Sequence, residues 1–517
     1  MEGGYSTPVI WLSAALVTIL LLKKWMNRTS RSSMLRLPPG PPAWPLVGNI
    51  FDLGTMPHQD LYRLRPKYGP VLWLKLGSVN TMVIQSAKAA SHLFKNHDLA
   101  FSNRTVPHAM TAWSFNQGSL GFAPYGAYWR ILRKICTTEF LVNRQLNNST
   151  ELRENCVDKL VDWIEEEAIA SRDGGGSGEV EPTHLLFLMS FNLVGKLMLS
   201  RDLLNVKSKE GHDFFKAVNM VMQRAGKPNV ADFFPLLKWI DPQSIRRNMM
   251  KDLGTAIDIV ASFVTDRVEE NLAGREKVKK DFLDMLLEYE GDGKECPKSI
   301  SEKNITFIIV EMFVAGSETT SVTVEWALAE LLRSPQSMRM AKDELEKVIG
   351  ATRKIKESDI DKLPYLQAVV KETLRLHPAV PLLVPRCSME DTEYMNYLIP
   401  IYTQVFVNAW AIGRDSETWE NPMCFNPLRF LGSSINYKGQ DYEFLPFGSG
   451  RRICVGMDLA HRVVHLSLAT LLWSFDWELD ISPTLETLDM TERMGITLRK
   501  LVPLRAIPKM RKIVLDD

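Results

Sequence analysis

A loop of glycines, arginines and one cysteine places the strongest constraint on how this chain folds. Residues 447–456 read FGSGRRICVG, and the apolar run 457–472 that follows has the spacing of a helix. Cys454 stands at the amino end of this predicted helix, where unpaired N–H groups and the helix dipole favour an anionic sulfur. Gly450 and Gly456 let the backbone approach a flat ligand closely. The pattern predicts that Cys454 is a metal ligand, although a lone cysteine is more often a small buried apolar residue.

This loop resembles the haem-binding signature of the cytochrome P450 family. The residues that match the signature are Phe447, Gly450, Arg452, Cys454 and Gly456. The resemblance implies that these residues bind haem b and that the Cys454 thiolate is the axial ligand of its iron. Arg452 is a fixed cation, which suits a carboxylate of that cofactor.

Composition and charge describe an ordinary globular protein and exclude some classes of function. The 517 residues are 45% apolar and 24% charged, and the formal net charge is +1. Basic residues are dispersed among acidic ones, so nothing predicts binding to nucleic acid. The six cysteines are widely separated and form no CxxC pair. They indicate reduced thiols in a cytosol-facing protein rather than a disulfide framework or a zinc site.

The amino terminus predicts a membrane anchor followed by a stiff linker. Residues 5–22 are almost uncharged and about long enough for one membrane-spanning helix, and Lys23, Lys24 and Arg28 follow them. A cleaved signal peptide would carry its basic residues before the apolar run. We therefore expect an uncleaved signal anchor over residues 1–24, a basic and proline-rich linker over 25–45 and a haem-thiolate catalytic domain over 46–517. Basic residues stay on the cytoplasmic side, so the catalytic domain should face the cytosol.

The patterning of the remaining chain predicts a mainly helical fold. Helical spacing dominates from residue 150 to about 340, whereas residues 71–76 and 81–84 read as the two strands of a short hairpin. The predicted fold class is mainly α with a small β-rich subdomain. The resemblance implies the cytochrome P450 fold with one amino-terminal transmembrane anchor in the endoplasmic reticulum membrane.

Two residues of a short predicted helix are candidates for binding a carboxylate. Residues 128–134 are helical in pattern, and the i, i+4 spacing puts Trp129 and Arg133 on one face. An indole N–H and a guanidinium group together suit a carboxylate. The resemblance implies that both contact one haem propionate and that Arg386 approaches the other. The alternative is a packed tryptophan and a solvated arginine.

An apolar helix predicted around residues 307–320 is interrupted by Gly316, Glu318 and Thr319. Polar groups in a buried helix are costly, so this interruption needs an explanation. The segment resembles the oxygen-activation motif of the family, which implies that Glu318 and Thr319 deliver protons to bound O2. The alternative is a kink at which a salt bridge satisfies Glu318.

A second helix and a later loop supply a predicted structural network. Glu372 and Arg375 are three residues apart on a helix that ends at a proline, so they can pair. Together with Arg429 they resemble the buried Glu-Arg-Arg network that steadies the haem loop in the family. Leu428 stands where the family usually has glutamate, which puts one local contact in doubt. The alternative is an ordinary surface ion pair, which contributes little.

The predicted substrate pocket rests on the resemblance alone. The family positions that contact substrate correspond here to Phe115, Ala315, Val380 and Ile496. For Phe115 the alternative is core packing, and for Ile496 it is a place in an ordinary strand.

The resemblance implies a monooxygenase of the plant microsomal type. Such an enzyme uses O2 and NADPH electrons, delivered by a separate NADPH–cytochrome P450 reductase, to hydroxylate or oxidise a small apolar metabolite. The sequence is most similar to the clan that oxidises geraniol and iridoids, which predicts a terpenoid substrate, either a monoterpene or an iridoid. An alkaloid, a diterpenoid or a phenylpropanoid stays open as an alternative substrate. A hydroperoxide isomerase or lyase and a non-catalytic haem protein are the alternative functions.

Overall fold

Helices dominate the chain, and short strands are gathered into small sheets, as the sequence predicts. The computed structural model describes residues 36–203, 209–274, 280–291, 293, 298–350, 353–479 and 488–511. The predicted anchor, residues 1–24, and the first part of the predicted linker lie outside these residues.

The amino-terminal half of the described chain contains one hairpin and a series of helices. Its strands are β1 (Val71–Leu76), β2 (Val79–Ile84) and β3 (Asn103–Arg104). Its helices are α1 (Pro57–Tyr68), α2 (Ala87–Asn96), α3 (Phe115–Gly118), α4 (Ala127–Lys134), α5 (Asn143–Asn148), α6 (Thr150–Asp173), α7 (Pro182–Leu199), α8 (Lys209–Ala225), α9 (Val230–Phe233) and α10 (Ile245–Leu272). The predicted hairpin and the predicted helix at 128–134 are both present.

The carboxyl-terminal half alternates longer helices with short strands. Its helices are α11 (Phe282–Leu287), α12 (Glu302–Arg333), α13 (Pro335–Ile349), α14 (Pro364–Leu376), α15 (Ala409–Ile412) and α16 (Met457–Ser474). Its strands are β4 (Arg386–Cys387), β5 (Thr392–Tyr394), β6 (Tyr397–Ile399), β7 (Gln404–Val407), β8 (Phe475–Glu478), β9 (Glu492–Met494), β10 (Leu498–Lys500) and β11 (Ile507–Met510).

The largest described sheet has five strands in the order β1-β2-β7-β4-β3. Strands β2 and β7 pair in parallel, whereas the other neighbours are antiparallel. The register of β3 against β4 sets Arg104 directly opposite Arg386. Two arginines distant in sequence are thereby placed side by side.

Helix α12 runs through the main hydrophobic core and packs against α7, α10 and α16. Ser301 caps its start, because the Ser301 hydroxyl accepts a hydrogen bond from the Asn304 N–H. Among the described helices, α7 and α12 are long and apolar enough to cross a membrane, but most of each is buried inside the protein. They are therefore core helices, which are apolar on nearly every face.

Candidate active site

A cavity of about 360 Å³ lies between the loop that precedes α16 and the middle of α12. Most of the predicted site residues line it: Cys454, Trp129, Arg133, Arg386, Arg452, Phe447, Gly456, Thr319, Ala315 and Val380. The fold thus brings together side chains that are separated by more than 300 positions in sequence.

The loop wall of this cavity presents Cys454. The Cys454 N–H donates a hydrogen bond of 3.0 Å to the Phe447 carbonyl, which closes the loop, and the side chain faces the cavity. Burial raises the pKa of the Cys454 thiol, against the opposing effects of the Gly456 N–H and the Arg133 charge. A coordinated metal ion would deprotonate this thiol outright.

Gly450 shapes the loop from outside the cavity lining. Its φ of 70° lies in the left-handed region, and a Cβ there would be 2.3 Å from the Asp98 carboxylate. Asp98 in turn accepts hydrogen bonds of 2.9 Å from Arg386 and from the Arg451 N–H. Gly450 therefore allows Asp98 to join the loop to strand β4.

Arginine side chains crowd one end of the cavity. Arg452 donates only to the backbone carbonyls of Ser102, Leu120 and Ala123, at 2.7–3.2 Å. Burial and then repulsion from neighbouring arginines lower the pKa of the Arg452 guanidinium to about 9. These cations therefore lie where positive charge is in excess.

Sequence reasoning missed Arg104, which also lines the cavity. It donates hydrogen bonds to the carbonyls of Gly121 (3.0 Å) and Val384 (2.6 Å). Burial, followed by repulsion from Arg386 and Arg452, lowers its pKa well below the usual range. Only the pairing of β3 with β4 places Arg104 here, so no local pattern could reveal its role.

These side chains fit haem. Of the described residues that line the cavity, four are arginines and one, Glu311, is acidic, so positive charge is left for an anion to balance. The two carboxylates of one haem would supply such anions, and Cys454 would supply a thiolate ligand. Trp129 lies beside this cluster, with its ring centroid 4.1 Å from the Arg452 guanidinium carbon, but its indole N–H already donates to the Leu120 carbonyl at 2.9 Å.

The helix wall, formed by α12, presents a row of hydroxyl groups. Thr319 and Thr320 donate hydrogen bonds of 2.7 and 2.9 Å to the carbonyls of Ala315 and Gly316, one turn earlier. A Cβ at Gly316 would lie 3.1 Å from the side chain of Val194, so this glycine allows α7 to pack closely. The Thr319 hydroxyl keeps its acceptor lone pairs for a group in the cavity.

Comparison with known proteins decides the family. A family model described as "Cytochrome P450" matches residues 38–502. The chain belongs to the cytochrome P450 family.

Relatives of this cytochrome P450 cover almost the whole chain. It is 54% identical to iridoid oxidase from Catharanthus roseus, over 98% of each chain. It is 40% identical to geraniol 8-hydroxylase from the same plant, over 98% of this chain and 99% of the relative. A zebra fish cytochrome P450 solved with progesterone superposes with a TM-score of 0.74 at 25% identity, covering 88% of this chain and 99% of that one. The predicted chemistry is thereby confirmed: this is a haem-thiolate monooxygenase that uses O2 and NADPH-derived electrons.

Glu318 of this cytochrome P450 lies outside the cavity lining, unlike its neighbour Thr319. Its side chain is 2% exposed and accepts hydrogen bonds from the Thr497 hydroxyl and the Arg499 guanidinium of the β9–β10 hairpin. This geometry matches the alternative in which Glu318 forms a salt bridge, although both donors are on Oε1, and Oε2 is buried without a hydrogen-bond partner among the described residues. Successive residues of an α-helix point about 100° apart, so Glu318 and Thr319 face different sides of α12.

Two residues predicted for the substrate pocket also lie outside the lining. Phe115 packs in the core against Phe307, with ring centroids 5.3 Å apart. Ile496 lies in the turn of the β9–β10 hairpin, close enough to Gly226 that a Cβ there would be 2.5 Å from the Ile496 nitrogen. Ala315 and Val380 are the predicted pocket residues that do line the cavity.

The three residues of the predicted network meet where α14 packs against the turn Pro427–Phe430. Both Glu372 oxygens accept hydrogen bonds from Arg375, at 2.7 and 2.8 Å, and one of them also accepts from Arg429 at 3.0 Å. The Glu372 and Arg375 side chains have no exposed surface. Leu428, by contrast, is 48% exposed, so the missing glutamate leaves the buried part of the network intact.

Proposed function

We propose that this cytochrome P450 oxidises a small terpenoid, a monoterpene or an iridoid. The observation that carries the proposal is the 54% identity to iridoid oxidase along nearly the entire chain. The aliphatic side chains of Leu193, Val194, Ala315, Val380 and Leu383 line the cavity and suit an apolar substrate of this kind.

The proposed haem contacts divide among the residues of the loop wall and its neighbours. Cys454 would supply the thiolate ligand of the iron, and Phe447 and Gly456 lie near it in the loop. Arg452 and Arg133 would bind one propionate, with the Trp129 ring packed against Arg452, and Arg386 would bind the other, with Asp98 holding the Arg386 side chain in place. Haem, when bound, supplies the O2 activation that no side chain provides.

The proposed proton path uses both faces of α12. The Arg499 side chain that meets Glu318 is 31% exposed, which supports a route between solvent and this carboxylate. Thr319 holds a proton on its Oγ1 atom at the cavity, directly beside Glu318 in sequence. If the Thr319 hydroxyl turned away from the Ala315 carbonyl, it would present that proton to the cavity, and a proton lost there would be replaced from Glu318 through water.

We further propose a single-pass anchor over residues 1–24 in the endoplasmic reticulum membrane, with the catalytic domain facing the cytosol. Trp44, Leu46 and Phe51, just after the proline-rich segment, are 64–77% exposed, which supports contact of this end with a membrane. Arg130 and Lys134 of α4 are exposed and suit an acidic surface of NADPH–cytochrome P450 reductase.

The test is a panel of ligands applied to the full-length holoenzyme with its reductase. Monoterpene alcohols and iridoids are compared with alkaloids, diterpenoids and phenylpropanoids. We expect low-to-high-spin absorption shifts and NADPH-dependent oxidised products for the first group. Shifts and products confined to another class would overturn the substrate proposal.

A further inference from the structure

The half-buried carboxylate of Glu311 belongs to none of the motifs that define the active site. It lies on α12 one turn before Ala315 and two turns before Thr319, on the face that lines the cavity. Of the residues that line the cavity in the described part of the chain, Glu311 is the acidic one. The hydrogen bonds of Glu311 indicate the role of its charge.

Three donors converge on the Glu311 carboxylate from a single turn. Its Oε1 accepts hydrogen bonds of 2.7 Å from the Ser119 hydroxyl and the Gly121 N–H, and its Oε2 accepts one of 2.6 Å from the Leu120 N–H. A Cβ at Gly121 would lie 2.6 Å from Oε1, so glycine is what lets the turn come this close. Because all three partners donate, only a group made entirely of acceptors satisfies them.

The carbonyl groups of the same turn point to the cationic end of the cavity. The Leu120 carbonyl accepts from Trp129 Nε1 at 2.9 Å and from Arg452 at 3.2 Å. The Gly121 carbonyl accepts from Arg104 at 3.0 Å. The peptide groups of the turn thus point their N–H groups toward the Glu311 carboxylate and their C=O groups toward the arginines. The dipoles of the turn favour both sets of contacts.

We propose that Glu311 is a positioning residue that holds turn 119–121 against α12 and, through it, orients Trp129, Arg104 and Arg452 at the cavity. The proposal does not depend on which substrate the cavity takes, but it does rest on the proposed roles of these residues toward haem. Glu311 acts through the turn and takes no part in bond making.

The first experiment measures hydrogen exchange in the holoenzyme for E311Q and for the matched control E302Q, which changes an exposed glutamate on the same helix. The glutamine keeps the shape of the side chain but turns an NH2 group toward converging donors. We expect exchange of the Leu120 and Gly121 amides to become about tenfold faster in E311Q, because charged hydrogen bonds are lost, and to be unchanged in E302Q. Unchanged exchange in E311Q would overturn the proposal.

A second experiment uses Gly121→Ala in two backgrounds, so that a general loss of folding does not decide the result. In the wild type the new methyl group meets Glu311, whereas in E311A the carboxylate that it would strike is gone. We expect G121A to speed exchange in the turn in the wild type and to add no further increase in E311A. Equal effects in both backgrounds would contradict a direct contact between turn and carboxylate.

The third measurement is the haem reduction potential of the same samples, which a purely local structural role would leave unchanged. Loss of a negative charge and release of the arginines should shift it to more positive values in E311Q but not in E302Q. The same potential in both variants would show that the turn does not control the haem environment. None of the three measurements needs a substrate, so failure of the terpenoid proposal is distinguishable from failure of this one.

Discussion

The two walls of the cavity are built on different principles. The loop wall, residues 447–456, is fixed by backbone geometry: the Cys454 N–H bonds to the Phe447 carbonyl, and Gly448 and Gly450 adopt positive φ. The helix wall on α12 is regular, and its chemistry depends on partners 179–192 positions away for Glu311 and Glu318. The loop wall can therefore be predicted from a short sequence pattern. The roles of the polar residues on the helix wall depend on tertiary contacts that the local sequence does not indicate.

The walls also differ in charge. The loop wall and its neighbours present arginines, and the carboxylates Glu311 and Glu318 lie on the helix wall, one inside the cavity and one behind it. Burial raises the pKa of Glu311, although Ser119 and the turn amides oppose that shift. Outside both walls, Arg153 and Arg462 overcome the effect of burial and lower the pKa of Glu357, whose turn, Glu357–Lys362, packs against α16.

The largest effect should come from the support of the loop wall. Glu372→Ala leaves Arg375 buried without a carboxylate, so we expect a loss of about 3–5 kcal/mol of unfolding free energy and poor retention of haem. Denaturant unfolding and haem content of the purified protein check this. Glu393→Ala, an exposed glutamate on β5, is the control. Normal stability of E372A would mean that the loop wall does not rely on this network.

On the helix wall, Thr319→Ala should preserve folding but disturb proton delivery. We expect product formed per NADPH consumed to fall about tenfold or more, because the hydroxyl at the cavity is lost. Thr319→Ser keeps a hydroxyl group and should retain most of the coupling. Equal coupling in T319A and the wild type would remove Thr319 from the proposed path.

Acid should change stability in opposite directions through Glu311, on the helix wall, and through Glu357, which lies outside both walls. The lowered pKa of Glu357 gives stability that is present above the ordinary value of 4.5 and is lost as pH falls below it. The raised pKa of Glu311 makes the folded protein gain stability as pH falls toward 4.5. As pH falls, the difference in thermal unfolding midpoint between the wild type and E357Q should shrink. The difference in midpoint between the wild type and E311Q should grow. Changes in the same direction would contradict this assignment.

The smallest effect should come from Leu428→Glu, which restores the glutamate usual in the family. Residue 428 is 48% exposed, and Arg429 is already bound to Glu372. We therefore expect unfolding free energy to change by less than about 0.5 kcal/mol. A large gain in stability on denaturant unfolding would show that the loop wall lacks a contact at this position.

Local patterns predicted much of the molecule. The helices predicted from the spacing of residues 128–134 and from the apolar run of α12 are present in the structure. The hairpin predicted at residues 71–84 is also present, as β1 and β2. The resemblance also implied that Glu372 and Arg375 of one helix meet Arg429 from a later segment, and in the structure they do. In each case a periodic or motif-like signal was present within a short stretch of chain.

What sequence could not predict depends on long-range packing. The register of β3 against β4 places Arg104 beside Arg386. Glu311 is hydrogen-bonded to a turn almost two hundred residues earlier in the chain. Phe115 and Ile496 were expected in the pocket, but packing against Phe307 and beside Gly226 places them elsewhere. A single sequence contains no local signal for which of several apolar residues faces a cavity.

The absorption spectrum of the reduced carbon monoxide complex tests the central claim most directly, that the Cys454 thiolate holds haem in this cavity. We expect Cys454→Ser to lose the thiolate-type absorption band that the wild type shows. Cys424→Ser, which changes an exposed cysteine, should keep the band. An unchanged spectrum in C454S would contradict the assignment of Cys454 as the axial ligand.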